Sequence, residues 1–274
     1  MITTFRDLHR PGAPFILANA WDAGSAKMLA ALGARAIATS SAAHAFTLGR
    51  GDGGQVSRDE ALAHAADLIA ATPLPVSGDF ENGFGDAPED CAETVRLSAE
   101  VGLAGISIED IAHPTGRAYD RDFAIERIRA AASAARALPV DLVLCARADG
   151  VMEGAYDVDE AIARCLAFEE VGADCVYMPM PPGLEDLRKL ISAVRVPVNV
   201  LVAGRFSQTP VAEYAAIGAA RLSLGSALAR VTHAVIDRIG RSMFEDGDFS
   251  GFADAASGAA IDGLLARGSR TEER

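Results

Sequence analysis

Short apolar runs alternate with longer stretches of helical periodicity along nearly the whole chain. The runs at 14–19, 36–41, 75–79, 105–109, 142–147, 175–179, 197–202 and 221–225 are rich in Val, Ile, Leu and Ala. They are five or six residues long and all but 197–202 end in a polar residue, Gly or Pro, as expected for strands of a sheet covered on both faces. Between them, 23–32, 58–71, 88–101, 121–138, 158–171, 184–194 and 209–217 repeat apolar residues at 3.6-residue spacing, and a helical stretch begins at 227. Alternating strand and helix signals predict a parallel sheet with right-handed crossovers. Four helical stretches close on one phrase: Leu32-Gly33-Ala34, Val101-Gly102-Leu103, Val171-Gly172-Ala173 and Ile217-Gly218-Ala219. Gly in that place is the expected left-handed cap. The recurrence predicts an α/β fold in which eight βα units close into a (β/α)8 TIM barrel. A doubly wound sheet is the alternative, but no Gly-x-Gly-x-x-Gly follows the first strand signal.

The 274 residues suit one barrel domain, with a lead-in over 1–13, C-terminal helices over about 227–267 and a polar tail, 268–274, expected to fray. Charges, Gly or Pro interrupt every apolar run well before the roughly 18 residues of a membrane span, so no membrane partner is expected. The first residues, Met1-Ile2-Thr3-Thr4-Phe5-Arg6-Asp7, lack the pattern of a secretory signal, which makes the cytoplasm the expected location. A net charge of -13 disfavours nucleic acid. Cys91, Cys145, Cys165 and Cys175 form no CxxC pair and read as reduced core residues. Small-molecule chemistry remains.

In such a barrel the chemistry sits where the strands end. The first strand runs into Asn19-Ala20-Trp21-Asp22 and the second into Ser40-Ser41, followed by a Gly-rich loop holding Asp52. The third ends at Asp79, with Glu81 two residues on, so strand alternation would place both carboxylates on one face and Phe80 on the other. The fourth sends Ser107 and Glu109 inward, the fifth ends at Arg147, and the seventh carries Asn199. Inward carboxylates from adjacent strands beside an arginine make a cup for a hard cation and a carboxylate-bearing ligand. The alternatives are a solvated acidic turn for Asp79 and Glu81 alone, or a buried ion-pair network for the whole set. His44 and His113 lie in loops on the same side as possible proton carriers. Arg221 and Ser223 alternate with Leu222 and Leu224 and point inward, where a buried arginine needs a partner; Arg221 is read as structural first and a ligand second.

Together, Asp79-Phe80-Glu81-Asn82-Gly83-Phe84-Gly85, Ile108-Glu109-Asp110, Ala146-Arg147-Ala148-Asp149 and the stretch from Ser40-Ser41 to Asp52 resemble the isocitrate lyase and phosphoenolpyruvate mutase superfamily over about 19–228. The resemblance implies a (β/α)8 barrel that binds Mg²⁺, with Mn²⁺ an alternative, and acts on small 2-oxo or 2-hydroxy acids through enolate-like species. It implies a homo-oligomer, a dimer or tetramer, that exchanges a C-terminal helix. Residue by residue, it makes Asp79 a direct metal ligand, with Glu81, Glu109 and Asp52 acting mainly through metal-bound water. Arg147, Asp52, Glu109 and His113 become the catalytic set, and Ser40, Ser41, Trp21, Asn199 and Gly83 the substrate-binding set.

The chain also departs from that family. The loop after the fourth strand reads Asp110-Ile111-Ala112-His113-Pro114-Thr115-Gly116-Arg117, without the Cys and Lys of isocitrate-type lyases or the Lys and Asn of phosphonate-processing members. The expected activity is therefore a Mg²⁺-dependent carbon–carbon lyase on a small di- or tricarboxylic acid, by decarboxylation or retro-aldol cleavage. The alternatives are a phosphonomutase or P–C hydrolase, and a non-catalytic oxo-acid binding protein.

Overall fold

The computed structural model describes residues 4–269. Its strands are β1 (Phe15–Asn19), β2 (Ile37–Ala38), β3 (Val76–Asp79) and β4 (Gly105–Glu109), a small antiparallel hairpin of β5 (Ile111–Ala112) and β6 (Arg117–Ala118), then β7 (Val143–Arg147), β8 (Cys175–Tyr177), β9 (Val198–Leu201) and β10 (Arg221–Ser223). Leaving out the hairpin, the other eight close a parallel barrel in the order β1-β10-β9-β8-β7-β4-β3-β2. The (β/α)8 expectation holds.

The helices are α1 (Ala23–Ala31), α2 (Ser41–Thr47), α3 (Arg58–Ala71), α4 (Pro88–Glu100), α5 (Arg121–Ala137), α6 (Gly150–Glu153), α7 (Val158–Glu170), α8 (Leu184–Ala193), α9 (Val211–Ala216), α10 (Ala227–Arg241) and α11 (Gly258–Gly268). Gly33, Gly102, Gly172 and Gly218 have φ of 104, 91, 107 and 92°, the left-handed caps predicted from their repeated phrase. Ser57 and Glu60 cap the start of α3 reciprocally, and such a cap contributes about 1 kcal/mol. Three elements differ from expectation. Ser40 accepts the Ala43 N–H at 3.3 Å and so starts α2 where strand was predicted, while β5–β6 and α6 occupy what read as loop.

Two apolar layers hold the barrel. Ile106, Ile108, Leu144, Ala146 and Val176 point outward into Leu68, Ile128, Ala131, Cys165 and Phe168 of the helices. Each large side chain buried there contributes about 1.5–3 kcal/mol. Where the strands begin, a helical turn at Arg6–Leu8 presses Phe5 and Leu8 on Phe15, Leu17 and Val143. The Phe5 ring lies against Gly105, where a side chain would meet it at 2.7 Å. That end is plugged, so the opening lies at the strand C-termini.

Beyond the barrel, α11 packs on α1 of its own chain, with Gly268 directly on the Lys27 carbonyl. Of the predicted tail, 268–274, residues 270–274 lie outside the described residues. None of the described helices is long and apolar enough to cross a membrane.

Candidate active site

Asp79 ends β3 and is gripped from three sides. Its Oδ1 accepts from Arg147 Nη1 at 2.7 Å, and its Oδ2 accepts from the Ser41 N–H and hydroxyl, each at 2.9 Å. Its own N–H donates to Thr39 Oγ1 at 2.7 Å. Ser41 can do this because α2 begins there, its N-terminus turned toward the carboxylate.

Glu81 reaches the same cleft by a route the alternation did not foresee. The strand is finished at Asp79, and Glu81 lies in left-handed backbone at φ 44°. Its carboxylate swings toward the loop after α2, where the Gly54 N–H donates to it at 3.1 and 3.2 Å. Buried Arg127 of α5 fixes the turn by donating to the carbonyls of Asn82, Gly85 and Asp86.

Arg147 is the centre of charge. It pairs with Asp79 at 2.7 Å and Glu109 at 3.0 Å, and clasps Asp149 through both Nε and Nη2. Its guanidinium carbon stands 5.2 Å from the Tyr177 ring centre. Asp149 was legible only as part of its motif, yet it follows Arg147 by two residues. Its N–H donates to Asp110 Oδ1, and Asp110 in turn accepts from Tyr156 and Arg164. Arg147 is thus held from behind in one orientation.

Glu109 and His113 share a 2.5 Å hydrogen bond. Burial pushes the Glu109 carboxyl up to about 7, with Arg147 opposing only in part. Burial also works against the His113 imidazolium, but the Glu109 hydrogen bond and the charges of Glu109, Glu81 and Asp52 outweigh it and raise its pKa. The hydrogen bond leaves the two side chains placed to share and pass a proton. Gly53 and Gly54 press on His113, where a Cβ at Gly54 would lie 2.8 Å from the His113 Cβ.

The cleft has two lobes. One, of about 150 Å³, lies between Ser40, Ser41, Asp79, Ser107, Arg147 and Tyr177 and continues down to Asn199 and Arg221. The other, of about 300 Å³, lies between Asp52, Glu81, Glu109, His113 and Asp149. Five carboxylates around one arginine and one histidine at a barrel mouth make a site built to hold anionic ligands only with added positive charge.

The family model of phosphoenolpyruvate phosphomutase matches residues 5–244, most of the chain. The chain belongs to this family. Phosphoenolpyruvate phosphomutase family members lie in the isocitrate lyase/phosphoenolpyruvate mutase superfamily, as the motifs implied. An uncharacterised protein of Mycobacterium tuberculosis is 33% identical over 229 residues, covering 81% of this chain and 82% of its own. The 2,3-dimethylmalate lyase of Eubacterium barkeri is 31% identical over 210 residues, covering 73% of this chain and 71% of its own. A solved structure from Burkholderia cenocepacia, provisionally described as a lyase/mutase, is 44% identical with a TM-score of 0.91 and covers 96% of this chain and 94% of that one.

Within this phosphomutase-family barrel, the predicted residues divide. Ser40, Ser41, Asp52, Asp79, Glu81, Glu109, His113, Arg147 and Asn199 line the cleft. Trp21 and Gly83 do not. Trp21 follows the end of β1 and faces an outer groove, its carbonyl 3.0 Å from His64 Nε2. Gly83 turns the loop at φ 86° against Cys91, and its carbonyl accepts from Thr94 at 2.7 Å. His44 is also removed from the cleft lobes; it lies in α2, stacked 3.9 Å from His64, and burial pulls its pKa down to about 4. Thr39, Tyr177 and Asp149 are among the cleft residues not singled out from sequence, although Asp149 lies two residues past Arg147; Ser107, read as inward with Glu109, lines the cleft too.

The donor set bears on the implied cation. Among the described residues no three Asp, Glu, His or Cys side chains stand together as a direct metal cage. Arg147 and Ser41 occupy both Asp79 oxygens, and Arg147 and His113 occupy those of Glu109. All the candidate donors are carboxylate oxygens on one cleft, which suits a hard, largely hydrated cation.

Proposed function

We propose that this protein is a Mg²⁺-dependent carbon–carbon lyase that cleaves a small 2-oxo or 2-hydroxy di- or tricarboxylic acid through an enolate-like species. The observation that carries the reading is Arg147, mostly enclosed and oriented by Asp79, Glu109 and Asp149 in the wall of a carboxylate-lined cleft. The likeness to 2,3-dimethylmalate lyase supports it.

Asp79 would hold the cation directly, with Asp52, Glu81 and Glu109 reaching it through water. The cation would supply positive charge where a 2-oxo or 2-hydroxy oxygen and the adjacent carboxylate gather negative charge. Every other role falls to the chain. Arg147, whose Nε and Nη2 are taken by Asp149 and Glu109, meets the substrate carboxylate through Nη1 and its fixed positive charge, and Ser41 and Thr39 hold Asp79 in place. For a 2-hydroxy acid, the Glu109–His113 pair takes the hydroxyl proton as the carbon–carbon bond breaks. The hydroxyl carbon becomes a 2-oxo acid, the bond electrons pass to the departing carboxylate fragment as its enolate, and a proton returned to that carbon completes the turnover. The loop lacks the Cys and Lys of better-known relatives, so His113 is the proton carrier assigned to it.

The same reading makes the protein a homo-oligomer. Val231, Val235, Ile236 and Phe244 are 60, 40, 67 and 86% exposed on α10 and the turn after it, an apolar surface that a second copy would cover.

The test is incubation with Mg²⁺ and 2,3-dimethylmalate, 2-methylisocitrate, oxaloacetate or phosphonopyruvate, assayed for pyruvate, glyoxylate and phosphate. Carbon–carbon cleavage products support the lyase. Phosphate release alone would replace it with a P–C activity, and binding without turnover of any would replace it with a binding protein.

A further inference from the structure

The lobe beneath Arg147 continues past the carboxylates into the barrel, where it reaches Asn199, Ser223 and Arg221. Arg221 opens β10 and stands in register with Asn199 of β9. It is 3% exposed. Its Nε donates to Asn199 Oδ1 at 2.9 Å, Asn199 Nδ2 donates to Ser223 Oγ at 2.8 Å, and its Nη1 faces His9 Nε2 at 3.3 Å. Burial, then the Arg221 charge, holds His9 down to about 3, so that ring is neutral. Arg147 has three carboxylates around it, whereas among the described residues none pairs with Arg221.

A guanidinium held inside a barrel without a counter-charge carries a desolvation cost that amide and hydroxyl partners recover only in part. Three titratable groups other than His9 lie near it, Cys145, Cys175 and Tyr177; burial keeps the Cys175 thiol and the Tyr177 phenol protonated, which leaves the Cys145 thiol. Burial opposes that thiolate, while Cys175 and the charges of Arg221 and Arg147 bring its pKa down to about 7. Cys145 is wholly buried behind the lobe and Arg221 lines it, so the arginine faces open space that a ligand can enter.

We propose that Arg221, with Asn199 and Ser223, is a second anion subsite that receives the distal carboxylate of the substrate. Resting on the lyase reading, it names the substrate class: a 2-oxo or 2-hydroxy diacid that enters with its reacting end at Asp79 and Arg147 and its far carboxylate toward the barrel floor. The unexplained buried cation thereby gains its counter-ion on binding, and acids ending in a methyl group are discriminated against.

Malate and lactate test this, because the two 2-hydroxy acids differ by the distal carboxylate. Calorimetric titration in the presence of Mg²⁺ should show the wild type favouring malate at least tenfold. Arg221→Met should bind lactate as before and malate no better than lactate, with a melting temperature unchanged or higher, because an unpaired buried charge has been removed. Asn199→Asp, which gives Arg221 an internal carboxylate, should abolish the preference without requiring the arginine to be removed, and Cys145→Ser should leave it intact. A wild type without preference, a preference retained in Arg221→Met or in Asn199→Asp, one lost in Cys145→Ser, or an equal loss of both acids would overturn the proposal. Lactate binding indifferent to Asp79→Ala would instead fail the lyase reading, so the two failures are distinguishable.

Discussion

Glu109 and Arg147 stand opposite one another in the register of β4 and β7, and their side chains meet at 3.0 Å inside the barrel mouth. Under the proposed function, the pairing would join the group that moves a proton to the group that holds a carboxylate. It also explains why each side chain is tolerated there: the arginine is enclosed by anions, and the glutamate shares its excess charge with a cation and a histidine.

Arg147→Lys keeps the charge and loses the planar fork. A lysine can satisfy one carboxylate well but cannot clasp Asp149 through two nitrogens while also meeting Asp79 and Glu109. The expected result is a fall in kcat/KM on the order of 100-fold, borne mainly by substrate affinity, with the fold retained by circular dichroism. Wild-type kinetics from this variant would remove Arg147 from the site.

Glu109 gives stability a definite pH dependence. Its carboxyl is raised in the folded chain to about 7, from 4.5, chiefly by burial, so the native state holds its proton more tightly than the unfolded state does. The stabilisation is complete below about 4.5 and is lost as pH rises through about 7, and the raised pKa of His113 acts in the same direction. The contribution is on the order of 3 kcal/mol. The melting temperature should fall between pH 5 and about 8 in the wild type, and Glu109→Gln should flatten that slope. A slope identical in both proteins would contradict the assignment.

The barrel was legible because its eight apolar runs and its glycine-ended helices repeat one physical unit, and the short α2, α6 and β5–β6 insertions fall in the loops without changing the barrel order. Asp79, Glu109 and Arg147 were legible for the related reason that inward positions at strand ends follow from alternation. Glu81 reaches the cleft by a route that strand alternation does not give. Its left-handed backbone depends on Arg127, forty-six residues later, pulling on the carbonyls of the turn, and no local pattern records such a contact. Trp21 and Gly83 were misplaced because each lies just past a strand, where capping and turn geometry, not alternation, set direction. Arg221 was read as pointing inward and needing a partner, but only the finished barrel reveals that the partners are Asn199 and His9 and that no carboxylate pairs with it among the described residues.

Gly54→Ala tests whether the loop after α2 positions the proton carrier. The new methyl group would lie 2.8 Å from the His113 Cβ, and the backbone there has φ 71°, a conformation alanine resists. The loop or His113 must move, disturbing the 3.1 Å bond to Glu81 and the 2.5 Å bond to Glu109 together. We expect about 1–2 kcal/mol of destabilisation, with kcat reduced more than KM is raised, because the substrate carboxylate still meets Arg147. A proportional change in both would place the loop in substrate binding instead.

Asp79→Ala separates the proposed cation from the ion-pair network. Removing this carboxylate leaves Arg147 with Glu109 and Asp149, so the arginine stays compensated and the barrel should fold. Ser41 loses the acceptor for both its N–H and its hydroxyl, a cost of about 1–3 kcal/mol that a lower melting temperature would report. If Asp79 served only the network, oxalate binding would change little and would be the same with Mg²⁺ or with a chelator, in wild type and variant alike. If Asp79 holds the cation, wild-type oxalate affinity should drop at least tenfold on chelation, and the variant should bind oxalate weakly at every Mg²⁺ concentration. Calorimetry across a Mg²⁺ series decides between them without depending on turnover.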